Sequence, residues 1–171
     1  MRGWHFESYR HYLAAKGYMT VKRKPGLIGR VGDVRIYAKP LEKGHVYPIA
    51  PEDIKKFLQN QDEQKLKGLK AVEFTRPKDK DQKEAWGQLV RSKRKILIFS
   101  QPSKDGKIDG VPPARIREVI RGYVLPHEVG HNIALNQRRI TDKDLRMAEA
   151  RADANVLGMD VQDRDVRLLK R

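Results

Sequence analysis

The sequence predicts a mixed α+β domain in which a small mixed sheet precedes two helices. Three observations carry that expectation. Short aliphatic and aromatic runs at strand spacing dominate the first hundred residues, the hydrophobic period lengthens to 3.6 residues from Pro112, and a second helical pattern follows a turn near residue 140. With 171 residues the chain is one domain, or one domain with a small appendage, and it can bury a core without covalent staples.

The elements follow in order. Residues 6–16 carry Tyr9, Leu13 and Ala14 at helical spacing and stop at Gly17, which reads as a short helix. Two β-like pieces, residues 18–21 and 31–37, flank a turn over KRKPGLIG. This helix and hairpin are expected to form a basic appendage over residues 1–45, ahead of a main domain at 46–171. Residues 40–51 read as a connection. Glu52 and Asp53 then open a helix to about residue 61, with Ile54, Phe57 and Leu58 inward. A strand is expected over residues 69–74, followed by a charged loop, TRPKDKDQKE, too polar for a core. Residues 86–91 and 95–100 read as two strands joined by the basic turn SKRK, and the charged flanks of the ILIF run suit an edge or a hairpin.

From Pro112, a stripe of Ile116, Val119, Ile120, Tyr123, Val124, His127, His131 and Ala134 predicts a long helix. Thr141 and Asp144 can cap a second helix, residues 142–157, stopped by Gly158. Its inward stripe includes Leu145, Ala148, Glu149, Ala152, Asp153 and Val156. Two carboxylates on an otherwise apolar stripe call for a partner.

Composition narrows the function. There are no cysteines, which removes thiol nucleophiles, disulfides, iron–sulfur clusters and thiolate zinc sites. No apolar run near the start suits a signal peptide and none is long enough to span a membrane, so a soluble cytoplasmic chain is expected. Lysine and arginine total 37 against 22 acidic residues, a net charge of +15. Residues 1–45 alone hold 10 basic and 3 acidic side chains. Such an excess favours anionic partners, and Lys22, Arg23 and Lys24 in the KRKPG turn are the candidates for touching nucleic acid. It equally suits a solvated surface.

The chemistry concentrates in His127-Glu128-Val129-Gly130-His131, an H-E-x-x-H on the expected long helix. Residues four apart stack on one helical face, so the two imidazoles can converge on a single ion. Glu128 is rotated beside that line, where a carboxylate can take a proton from water. A catalytic metal needs a third protein ligand. Ala134 and Gln137 stand where a metzincin extension would have glycine and histidine, which removes that branch. A carboxylate from the next helix is the other solution: Glu149 lies 18 residues after His131, with Asp153 one turn further on the same face.

HEVGH followed by EARAD resembles the HExxH…ExxxD pattern of the gluzincins, the thermolysin-type zinc metallopeptidases. The short span is most similar to the minigluzincins, which are reduced to the catalytic core, and the resemblance covers roughly residues 50–157. It implies a zincin-like fold for residues 46–171 and zinc-dependent hydrolysis of peptide bonds. It also implies His127, His131 and Glu149 as zinc ligands, Glu128 as the base, and Asp153 as the outer carboxylate that orients a ligand histidine. The strand that lines the cleft in that family would fall on Ile96, Leu97, Ile98 and Phe99, where an extended substrate would add as a strand. Pro126 departs from the pattern: inside a helix it removes a bond to the Gly122 carbonyl and kinks the axis, or else the helix begins there. Tyr123, Arg138, Arg139, His5, His11 and His45 are candidates to stabilise the oxyanion, undistinguished by spacing. Trp86 reads as core and Trp4 as a lid anchor or a surface aromatic. Two other readings stand beside the peptidase: a nucleic-acid-associated protease, and a basic nucleic-acid-binding protein with a relic metal site.

Overall fold

A computed structural model describes residues 25–136 together with residues 149, 152, 153, 155 and 156. The expected helix at 6–16, the strand at 18–21, Trp4, His5, His11, Lys22, Arg23, Lys24, Arg138, Arg139 and the Thr141/Asp144 cap lie outside the described residues.

The fold is mixed α+β, with a small mixed sheet and a C-terminal helical region. A hairpin opens it, β1 (Gly26–Val31) and β2 (Val34–Ala38). Here the expectation is corrected. Residues 26–31 form a strand where a turn was expected, and the turn falls at Gly32 and Asp33, inside the expected strand at 31–37. Gly32 has φ +56°, a conformation that glycine adopts at no steric cost.

After a two-residue strand, β3 (His45–Val46), comes α1 (Pro51–Gln59), which starts with proline at its first turn followed by Glu52 and Asp53. Ile54 and Leu58 are buried and Phe57 partly so. One-turn α2 (Glu63–Leu66) leads into β4 (Ala71–Thr75). The charged loop contains one helical turn, α3 (Lys80–Lys83), capped by the Asp79 carboxylate accepting from the Gln82 N–H. Then come β5 (Gly87–Val90), a 3₁₀ turn at Arg91–Lys93, β6 (Lys95–Phe99) and the short β7 (Gln101–Pro102).

The main sheet has the order β1-β2-β4-β6-β5, and β3 pairs with β7 in a separate ribbon. β2, β4 and β6 are mutually parallel, while β1 and β5 run antiparallel at the two edges. The hairpin is therefore hydrogen-bonded into the same sheet as β4 and β6. One face of the sheet, with Ile36, Val72, Phe74, Leu89, Ile96 and Ile98, packs against the helices. An ion pair at 3.4 Å between Asp53 and Arg117 ties the first helix to the later ones.

The final helical run passes through α4 (Pro113–Val119), a π-helical turn (Ile120–Val124) and α5 (Leu125–Asn136). Pro126 has no N–H to donate, and the wider turn just before it absorbs the mismatch: the Leu125 N–H bonds to the Ile120 carbonyl, five residues back. Ile116, Ile120, Val124 and Val129 face the core, whereas Val119 and Tyr123 are 40% and 48% exposed, so the expected inward stripe loses those two. Trp86 packs partly buried against the core. Among the described residues no helix is long and apolar enough to cross a membrane.

Candidate metal site

The site is built where α5 crosses the helical residues 149, 152, 153, 155 and 156. At the crossing, Gly130 faces Ala152. A Cβ on Gly130 would lie 2.6 Å from the Ala152 Cα and 3.1 Å from its carbonyl oxygen, so only glycine permits this approach. His127 and His131 stand three before and one after Gly130; Glu149 and Asp153 stand three before and one after Ala152. The close contact therefore sets both pairs opposite one another. Asn155 adds a second tie, donating to the Pro126 carbonyl at 2.6 Å and accepting from Lys65 at 3.1 Å.

Four electron-rich atoms result within a small volume. His127 Nε2 lies 3.0 Å from Glu149 Oε2, His131 Nε2 lies 3.2 Å from Glu149 Oε1, and the two Nε2 atoms are 3.1 Å apart. These three residues could hold a metal ion, and their ligand atoms all lie within 4.8 Å of one another. His127 Nδ1 donates to Asp153 Oδ1 at 2.9 Å, which leaves the Nε2 lone pair facing the cluster. His131 Nδ1 is buried without a hydrogen-bond partner among the described residues.

Tyr123 is drawn into this arrangement. Its ring stacks on His127 with centroids 5.5 Å apart, and its hydroxyl donates at 3.0 Å to the same Asp153 oxygen. Tyr123 thus braces the carboxylate behind His127. His45 stands apart in β3, its ring nitrogen 3.2 Å from the Lys43 carbonyl.

Glu128 is buried, and Oε2 accepts the Leu89 N–H at 2.6 Å. Burial raises its carboxyl to about 7, and the Leu89 hydrogen bond only partly offsets that. Burial likewise lowers His131, to about 4, so its imidazole is neutral, the form that ligates a metal. Gly87, Leu89 and Arg91 join His127, Glu128 and Glu149 in lining an open cleft of about 810 Å³.

The expected substrate strand is corrected. Ile96, Leu97 and Ile98 pair with β4 on one side and β5 on the other, Phe99 pairs with β4 and donates to the Trp86 carbonyl, and all four are buried. Both rows of backbone groups on β6 are taken, so no further strand can add there. The sheet edge in the cleft is β5. Because the Leu89 N–H points to Glu128, the backbone groups of Leu89 and of Gly87, two residues earlier, face away from β6. Sequence reasoning missed Gly130, Ala152, Asn155 and Leu89. The only signal available was a glycine inside a helical pattern, which marks close packing.

Fold and site together define a mixed α+β domain with a His–His–carboxylate cluster able to hold a metal ion. No family model, curated protein or solved structure matches this chain.

Proposed function

We propose that this chain is a zinc-dependent endopeptidase with a gluzincin-type centre in a zincin-like fold. The observation that carries the reading is the convergence of His127, His131 and Glu149 on one point beside a buried Glu128, in a cleft walled by a strand edge. Two imidazoles and one carboxylate make a donor set suited to zinc, with room for a fourth, exchangeable ligand. Zinc held there would polarise a scissile carbonyl and acidify a water molecule.

The protein's own groups do the rest. Asp153, braced by Tyr123, holds the His127 ring in the tautomer whose Nε2 faces the cluster. Glu128 is anchored through one carboxylate oxygen, and the other has no hydrogen-bond partner among the described residues. Its affinity for a proton, poised near neutrality, suits a base that takes the proton of the attacking water and hands it to the leaving amine. An extended peptide would pair with the outer edge of β5 through the Gly87 backbone and the Leu89 carbonyl, since Glu128 holds the Leu89 N–H, and this brings its backbone alongside Glu128.

Metal analysis of protein purified without a histidine tag, with a casein-cleavage assay, tests the reading. One zinc per chain and cleavage that Glu128→Gln abolishes without releasing the zinc are expected. Bound zinc with no cleavage would leave a relic metal site, and no bound metal would remove the proposal altogether.

A further inference from the structure

We propose that the carboxyl ends of the three parallel strands form a binding site for a phosphate group, free or as a monoester. β2, β4 and β6 end side by side at Ala38, Thr75 and Phe99. Crevices outside the carboxyl ends of parallel strands are where open sheets collect ligands. Here Lys39, Pro40, Glu42, Thr75, Arg76, Lys78 and Ser100 line a cavity of about 300 Å³ that shares no residue with the cleft beside His127 and Glu128. The lining is held in place: the Lys39 N–H donates to the Phe74 carbonyl and the Ser100 N–H to the Thr75 carbonyl, each at 2.9 Å.

Two independent features point to an anion. The Thr75 hydroxyl is buried and has no hydrogen-bond partner among the described residues, and burying such a group unpaired is costly unless something else satisfies it. The charges are also out of balance. Glu73 is shared between Lys39 at 3.7 Å and Lys95 at 2.6 Å, and Glu42 pairs with Arg76. Lys78 has no carboxylate partner among the described residues. Of the residues that line the cavity, three are thus cations, Lys39, Arg76 and Lys78, against the one carboxylate of Glu42, and a phosphate dianion would balance them. Its oxygens can accept from the Thr75 and Ser100 hydroxyls and from the ammonium groups, which are strong charge-assisted bonds.

The test is a titration of the full chain with inorganic phosphate and, in parallel, with phosphoserine, by calorimetry and thermal melting at constant ionic strength against chloride. Saturable binding and a phosphate-dependent rise in Tm are expected. Thr75→Val keeps the side-chain shape and removes the orphan hydroxyl, so without phosphate it should melt no lower than the wild type. Its phosphate affinity should fall roughly tenfold, as should that of Lys78→Ala. Equal binding of phosphoserine would assign a monoester, and binding of inorganic phosphate alone a free anion. An absent response at millimolar phosphate, or variants that bind as well as the wild type, would overturn the proposal.

Discussion

Gly130→Ala is the sharpest probe of how this site is assembled. The added methyl would sit 2.6 Å from the Ala152 Cα, against 3.4–4 Å for an ordinary contact, so the two helices must separate by about 0.8 Å or more. Because the clash is with backbone, truncating Ala152 to glycine brings no relief. The displacement is carried directly to the cluster, where Glu149 now bridges His127 and His131 at 3.0 and 3.2 Å. Metal–ligand distances tolerate only about 0.2 Å. Overpacking of this kind costs roughly 1–3 kcal/mol of stability, and misplacing the third ligand should weaken zinc binding by about 10–100-fold. Competition with a chromophoric chelator measures the affinity, and thermal melting measures the stability. Gly122→Ala is the control, since a Cβ there meets nothing within 4 Å and alanine favours the helix by up to about 1 kcal/mol. Wild-type zinc affinity in Gly130→Ala would refute the crossing as the device that sets ligand spacing.

Glu128→Gln should also change the pH dependence of stability in zinc-stripped protein. Glu128, raised to about 7 from 4.5, lowers stability as pH climbs through that range, whereas His131, lowered to about 4 from 6.5, raises stability between about 4 and 6.5. The two slopes oppose each other in the wild type. Removing Glu128 should leave melting temperatures that rise with pH across about 4–6.5, and a flat profile would contradict this. Asp153→Asn should reduce zinc affinity or cleavage by roughly 10–100-fold, read by the chelator assay and by peptide hydrolysis. Complete loss of metal there, with Glu149→Gln harmless, would exchange the two roles. If Lys22, Arg23 and Lys24 contact nucleic acid, replacing all three with serine should flatten the salt dependence of duplex binding by up to roughly three phosphate contacts while zinc content stays the same. Undetectable binding of labelled duplex and single strand by the wild type would retire that role.

What the sequence determined by itself is what lies within a few turns of one element. The spacing of His127 and His131 places them on one helical face wherever that helix packs, and the apolar periods of residues 54–58 and 116–124 select a core-facing side before any partner is known. Glu149 and Asp153 were conspicuous for the same local reason, as carboxylates on an apolar stripe. What only the tertiary structure decided depends on partners distant in the chain. Ile96 to Phe99 read as a β-rich segment, but whether a strand is interior or edge depends on which others pair with it, and β4 and β5 close both its sides. The hairpin at residues 26–38 was misplaced because its glycines resemble a turn, while pairing in the sheet holds GLIGRV extended. Gly130 against Ala152, and the Leu89 N–H on Glu128, join residues 22 and 39 positions apart. Such contacts leave no period in the sequence, because they are set by how whole elements dock and not by the geometry of any one of them.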